Sequence, residues 1–404
     1  MMRLRLSQLL VFFAAVAIQP SSAGIRPQAP QDPMAYDLGD APSSIAIVDL
    51  NGDHKPEIVV INRHTNSVAV LLNKGNGTFT VKGRHTTGLA PSAIAIGDFN
   101  KDGKPDIVVA NSLNNSISVF RGIGDGTWAK RVDYSVGLVP SALFVTDFNR
   151  DGRTDLLVAN RFGSSVSVLL GKGDGTLGSK TDYVTGSLPY SIAASDVNFD
   201  GKPDLLVTSC FDHNVSMLAG KGDGTFLSKV RYAKAKRSCA VVIGDIDGDG
   251  IPDLVEPHRY GYLVSVQSGR ESGAELRNDY LSGKGPRAIK SADFNGDGIT
   301  DLAVANSGHS AGEAGSVFIF LGRRIGGLEA KGGYVTGNAS YSLETGDLNG
   351  DGKLDLAVLN SSHDFGGSVS VLLGNGDGTF GARADYATGG YLIWISFGED
   401  SRKQ

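Results

Sequence analysis

The residues best placed to do chemistry in this chain are carboxylates. The stretch DFNKDGKPD sets Asp98, Asn100, Asp102 and Asp106 at places 1, 3, 5 and 9 of one short segment. Oxygen-bearing side chains at alternate places fall on the inside of a tight turn, where a hard cation such as calcium can collect about six to eight oxygens. A backbone carbonyl at the seventh place can add another ligand, and Gly103 at the sixth place permits the sharp bend. Three carboxylates this close repel one another, and no basic residue inside the stretch pairs with all of them. An empty loop would be costly.

The same arrangement occurs seven times. The candidate ligands are Asp49, Asn51, Asp53 and Glu57 in the first loop, and Asp98, Asn100, Asp102 and Asp106 in the second. The third has Asp147, Asn149, Asp151 and Asp155, and the fourth Asp196, Asn198, Asp200 and Asp204. Asp245, Asp247, Asp249 and Asp253 form the fifth, Asp293, Asn295, Asp297 and Asp301 the sixth, and Asp347, Asn349, Asp351 and Asp355 the seventh. The first is the weakest, with His54 at the glycine place and Glu57 at the ninth. These loops hold 22 of the chain's 43 acids. No long helix flanks them and the twelfth-place glutamate is missing, which excludes an EF-hand.

The loops recur at steps of 49, 49, 49, 49, 48 and 54 residues, and a fixed period in this range means a solenoid, a propeller or an array. In each unit an apolar run (SAIAIGDF, 92–99) precedes the acidic loop and another (DIVVAN, 106–111) follows it. A third run (SISVF, 116–120), a glycine-rich turn (GIGDGTW, 122–128) and a closing segment (RVDYSVG, 131–137) complete the unit. Runs of this length, rich in Val, Ile and Leu and bounded by Gly, Asn and Asp, read as strands. The second run is apolar without alternation, as in a strand covered on both faces. The expected fold is all-β: one seven-bladed β-propeller of four-stranded blades over residues 36–390.

The 404 residues carry a formal net charge of −5 and 41% hydrophobic residues, enough for a sizeable core. Arg3 and Arg5, the apolar LLVFFAAVAI (9–18) and SSAG (21–24) read as a signal peptide over 1–23, with a retained anchor as the alternative. A flexible leader over 24–35 would follow, and the mature chain would be secreted to an extracellular, periplasmic or cell-surface location. YDLG (36–39) copies a unit's last strand, and 391–404 resembles a vestigial eighth unit or a ring-closing tail. Signal removal moves the charge to −7, and seven bound Ca²⁺ would carry it to +7, so the formal acidity says little about partners.

Units such as ADFNGDGITDLAVAN (292–306), followed by turns such as LLGNGDGTF (372–380), resemble the FG-GAP/VCBS repeats of secreted proteins. The propeller of that family is related to the head of integrin α-subunits. The resemblance implies that the loop joining the two innermost strands of each blade carries Ca²⁺, up to seven structural ions in all. With extracellular affinities of ~10⁻⁴–10⁻³ M and ~1 mM calcium, each site would add roughly 0.4–1.4 kcal/mol, or about 3–10 kcal/mol together. The family includes adhesins, lectin-like binders and a few enzymes, so it leaves activity open.

In this topology the acidic loops and GDGT turns share one face, and the loops between second and third strands lie on the other. Those opposite loops contain Arg63, His64, Arg161, Phe162, Phe211, His213, Arg259, Tyr260, His309, His363 and Phe365. Arg63, Arg161 and Arg259 take one equivalent place in alternate blades. Such a rim suits a glycan or a surface protein and makes a binding or adhesion module the leading reading. The rival is an extracellular carbohydrate-active enzyme, a lyase or hydrolase, using Glu256, His258 and Tyr260. A calcium-dependent scaffold is the third option.

Lys290 and Glu344 stand at equivalent places of adjacent inner strands and suggest an ion pair beside the channel. Cys210 and Cys239 are the two cysteines, expected on one face of neighbouring blades, as a disulfide or as two thiols. GKGDGT (171–176, 220–225) is no phosphate loop, since no helix follows it. Nothing marks nucleic-acid binding or a membrane span after the signal.

Overall fold

The computed structural model describes residues 34–35, 41–75, 78–234, 240–269, 277–308, 313–324, 327–362 and 366–389. The expected signal peptide, most of the leader, YDLG and the 391–404 tail lie outside these residues, as do Cys239, His309, His363 and Phe365.

Seven sheets account for the described chain, each built on a four-stranded antiparallel meander, and no helix occurs among the described residues. After a short β1 (Met34–Ala35), blade one comprises β2 (Pro42–Val48), β3 (Glu57–Asn62), β4 (Ser67–Asn73) and β5 (Phe79–Thr86). Blade two is β6 (Pro91–Gly97), β7 (Asp106–Asn111), β8 (Ser116–Phe120) and β9 (Val132–Ser135). Blade three is β10 (Pro140–Thr146), β11 (Asp155–Asn160), β12 (Ser165–Leu169) and β13 (Thr181–Val184). Blade four is β14 (Pro189–Ser195), β15 (Asp204–Ser209), β16 (Asn214–Leu218) and β17 (Val230–Lys234). Blade five is β18 (Val242–Gly244), β19 (Asp253–Pro257), β20 (Leu263–Gln267) and β21 (Arg277–Leu281). Blade six is β22 (Pro286–Ala292), β23 (Asp301–Asn306), β24 (Ala314–Arg323) and β25 (Gly327–Asn338). Blade seven is β26 (Ser340–Gly346), β27 (Asp355–Ser362), β28 (Gly366–Leu372) and β29 (Ala384–Gly389). This is the seven-bladed propeller that the repeat predicts.

The first strands pack side by side around the ring, from β2 through β6, β10, β14, β18 and β22 to β26 and back to β2. The second strands are buried along their whole length in blades one to six, which explains their unbroken Val, Leu and Ile. Each core cluster draws on two neighbouring blades, so a blade's apolar faces are covered only by its neighbours.

Aromatic locks repeat at these seams. Tyr183 of blade three meets Phe226 of blade four edge-on at 5.5 Å, and Tyr334 of blade six meets Phe380 of blade seven at 5.6 Å. Tyr386 of blade seven meets Phe79 of blade one at 5.4 Å, so the ring closes with the same contact that joins its other blades. Blade seven is contiguous in sequence, and β1 adds to its outer strand in parallel, Met34 opposite Tyr386. Residues 34–35 therefore clip onto the last blade.

Candidate cation loops and ligand face

Each acidic loop joins the first strand of a blade to its second. In blade two, Asp98 accepts the backbone N–H groups of Asp102 (3.3 Å) and Gly103 (2.8 Å). Asn100 Oδ1 accepts from Asp102 N–H (3.2 Å), and Asp102 Oδ1 from Lys104 N–H (2.9 Å). Blades three to seven repeat the pattern, with Asp147, Asp196, Asp245, Asp293 and Asp347 at the first place. In the first loop Asp49 accepts instead from Gly52 and His54, both at 2.8 Å. His54 there takes a left-handed φ of 64°, which glycine adopts at the same place in the other six loops.

The ninth residue behaves differently. Asp106 is fully buried, and its two oxygens accept N–H groups from two turns: Phe99 in its own loop (2.9 Å) and Gly122 after the third strand (2.7 Å). Asp155 does the same with Phe148 and Gly171, Asp204 with Val197 and Gly220, and Asp253 with Ile246 and Gly269. Asp301 binds Phe294 and Gly322, and Asp355 binds Leu348 and Gly374. Glycine is required at the second contact, because a Cβ on Gly171 would lie 2.0 Å from the Thr154 carbonyl. The ninth carboxylate thus clasps the two turns of this face together, a role the spacing argument missed.

Burial pushes Asp253 and Asp301 up to about 6 and Glu57 up to about 7, and the carboxylates at the earlier loop places add to the rise. Partial compensation comes from the seventh place, where Lys55, Arg153, Lys202 and Lys353 reach the fifth-place aspartates at 3.5–4.0 Å. One cation per loop leaves at least two carboxylates uncompensated. In blade five the seventh residue is Ile251, and the ligand oxygens of Asp245, Asp247 and Asp253 lie within 4.8 Å of one another. An all-oxygen, carboxylate-rich set that raises the pKa of its own members fits a hard divalent cation.

On the opposite face Arg63, His64, Phe162, Phe211, His213 and Tyr260 are exposed, and Arg161 and Arg259 are half-buried. The Arg161 guanidinium lies 5.9 Å from the Phe162 ring, and that of Arg259 lies 5.7 Å from Tyr260. Cys210 at this rim is disulfide-bonded.

Glu256, His258 and Tyr260 do not share a pocket. Glu256 is buried, accepts from Gln267 Nε2 (2.9 Å), and is pushed up to about 7 by that burial. Tyr260 is 67% exposed. His258 Nε2 is 2.8 Å from Ser265 Oγ, and Ser265 donates to Asp279. This Ser–His–Asp set is wired unlike a nucleophilic triad, in which the histidine joins serine to aspartate. Ser118–Asp133, Ser167–Asp182 and Ser370–Asp385 repeat the serine-to-aspartate bond in other blades, with Asn111, Asn160 and Asn360 in the place of His258. The set is therefore the blade's own cross-strand brace. Lys290 and Glu344 do pair, at 2.9 Å.

Three residues of the inner rim escaped the sequence reading. The second residue of the first strand is Ser43, Ser92 and Ser141 in blades one to three, each donating to the carbonyl that starts the next blade (2.8, 2.7 and 3.1 Å). In blades four, six and seven that place holds Tyr190, Arg287 and Tyr341, and Arg287 stacks 3.6 Å from the Tyr341 ring centre.

The FG-GAP-like repeat matches residues 49–109, 98–158, 147–207, 196–256, 293–358 and 347–398. The chain belongs to this repeat family. Residues 257–292, in blade five and the start of blade six, fall outside the matches. No curated protein matches the sequence. Among solved structures the fold is similar to that of a Lactobacillus plantarum protein, with TM-score 0.61, 12% identity and coverage of 86% of this chain and 96% of that one. It is also similar to BBS1N solved in complex with ARL6DN, with TM-score 0.59, 13% identity and coverage of 82% and 93%. A putative 6-phosphogluconolactonase from Bacteroides uniformis gives TM-score 0.56, 15% identity and coverage of 86% and 98%. At these identities the likeness is one of fold. No helix among the described residues is long and apolar enough to cross a membrane.

Proposed function

We propose that this protein is a secreted, calcium-stapled propeller that binds a glycan or a cell-surface protein through the face opposite its acidic loops. One observation carries the reading. Large exposed apolar side chains are more frequent on that face than on the acidic-loop face, and some of them pair where one blade's leading turn meets its own second-to-third loop. Leu89 sits with Leu113, and Leu138 with Phe162, joined by backbone bonds from Leu113 N–H to Leu89 O and from Phe162 N–H to Leu138 O. Phe211 is 73% exposed, and Tyr260 and Tyr262 are exposed in one loop. A rim that keeps large apolar groups in water around polar loops is the signature of an interaction surface.

The test is a binding screen of the purified chain in calcium against a glycan array and surface-protein extracts. Phe162→Ala/Phe211→Ala removes the rim, and Phe199→Ala/Leu227→Ala alters the acidic-loop face as a control. Binding lost in the first variant and kept in the second supports the reading. The reverse pattern contradicts it.

A further inference from the structure

Arg63, Arg161, Arg259 and Arg287 come from blades one, three, five and six, yet all stand at one mouth of the channel. Arg63 and Arg161 follow second strands whose last residues pair with the starts of first strands, Asn62 with Pro42 and Asn160 with Pro140, and Arg259 stands two residues past the end of the second strand of blade five. Arg287 stands at such a start itself, and so do Tyr190 and Tyr341. Arg161 lies 5.5 Å from the Tyr190 ring, beside its 5.9 Å contact with Phe162. None of the four guanidiniums forms an ion pair among the described residues, although such pairs as Arg277–Asp279 and Lys284–Glu313 occur elsewhere. The Nε of Arg161 is buried and has no hydrogen-bond partner.

We infer that this mouth holds an anionic group, and that the ligand is an acidic saccharide whose carboxylate or sulfate is gripped by the arginines and whose ring lies against the tyrosines. The inference rests on the reading that this is the binding face. A buried donor without an acceptor costs free energy that a ligand oxygen would recover. Guanidinium forks match carboxylate and sulfate oxygens in pairs, and half-buried guanidiniums are desolvated enough for the bond to count. The electrostatics agree. Burial alone would raise the Tyr190 hydroxyl, but the charges of Arg287, Arg259 and Arg161, with a hydrogen bond from Arg287, pull it below its ordinary value, so negative charge is favoured at this point. Arg63 is itself lowered, by partial desolvation of a side chain still open to solvent and by Arg161, as a crowded cation is. The exposed rings of Phe162 and Tyr260 beside the mouth favour a sugar, which offers flat apolar faces, over an acidic peptide.

The experiment is calorimetric titration of the full chain in calcium with a galacturonate oligomer, a sulfated oligosaccharide, a neutral galactose oligomer, an oligoglutamate peptide and inorganic sulfate. The acidic saccharides should bind, weakening as salt rises, and the neutral oligomer should not. Arg161→Gln and Arg287→Gln should each weaken binding roughly tenfold, the loss of one charge-assisted contact. Arg287 stacks on Tyr341, so its variant is checked by thermal melt. Arg63→Gln, at an exposed side chain, gives a second reading with the fold intact. Equal affinity in all variants, or a preference for oligoglutamate or free sulfate, overturns the inference. A neutral glycan or protein bound through Phe162 and Phe211, indifferent to the arginines, overturns it and leaves the proposed function standing. No ligand on this face at all overturns both.

Discussion

Glu256 shows how far one residue can depart from the repeat. Its equivalents Val60, Val109, Val158, Val207, Val304 and Val358 are core residues, yet here a carboxylate occupies the place, with Oε1 buried and unpartnered. Burial lifts it to about 7, against weaker pulls from Arg277 and Gln267. The folded pKa thus exceeds the unfolded one, and between the two the folded state binds more protons. Glu256 therefore costs stability above pH 7 and ceases to do so as the pH falls toward about 4.5. Glu256→Gln should stabilise the protein near pH 8 by up to about 3 kcal/mol, and the gain should shrink toward zero near pH 5. Denaturant titrations at the two pH values measure it, and a gain independent of pH would contradict the assignment. Lys290 and Glu344 behave as a pair: burial raises Glu344, and Lys290 offsets part of the rise. Lys290→Met alone should destabilise by about 1 kcal/mol, and Lys290→Met/Glu344→Leu should recover most of that loss. A double variant no better than the single would show that the pair does not act as a unit.

At the scale of the blade, the acidic loop combines two devices that the sequence shows as one motif. The first place is half-buried and the fifth exposed, and with the third they grip only their own turn. The ninth is buried and holds that turn to the one after the third strand. These roles separate by experiment. Asp155→Ala removes two bonds to buried backbone N–H groups and should cost about 2–4 kcal/mol even in chelator, and more in calcium, because the ninth carboxylate is also a candidate ligand. Asp151→Asn should cost little in chelator but remove most of one site's calcium stabilisation, roughly 0.4–1.4 kcal/mol. Paired melts of both variants, with and without calcium, check this, and equal behaviour would merge the two roles. The strands were legible because each unit must bury both faces against copies of itself, so SISVF (116–120) and DIVVAN (106–111) mark β8 and β7 to the residue. The inner rim was not. Tyr190, Arg287 and Tyr341 stand 97 and 54 residues apart and meet only when the ring closes. The signal that could have found them is the break in register from Ser43, Ser92 and Ser141.

For the whole molecule, the seams matter more than any blade. Each blade is covered only by its neighbours, and contacts such as Tyr386 on Phe79 close the ring, so loosening one seam exposes two cores at once. Burial, and then repulsion among the carboxylates of each acidic loop, raises the ninth residue's pKa, and a cation in the loop would relieve the repulsion. The Arg–Tyr mouth on the other face is then free to serve a ligand. The most direct test is a thermal melt of the chain from about residue 24 onward, in about 2 mM calcium and then in excess chelator, with magnesium as the comparison cation. The account predicts a transition several degrees or more lower in chelator, restored by calcium and less well by magnesium, in line with the roughly 3–10 kcal/mol assigned to seven sites. A transition that does not move with chelator would contradict it, and the acidic loops would then be turns held by their own hydrogen bonds.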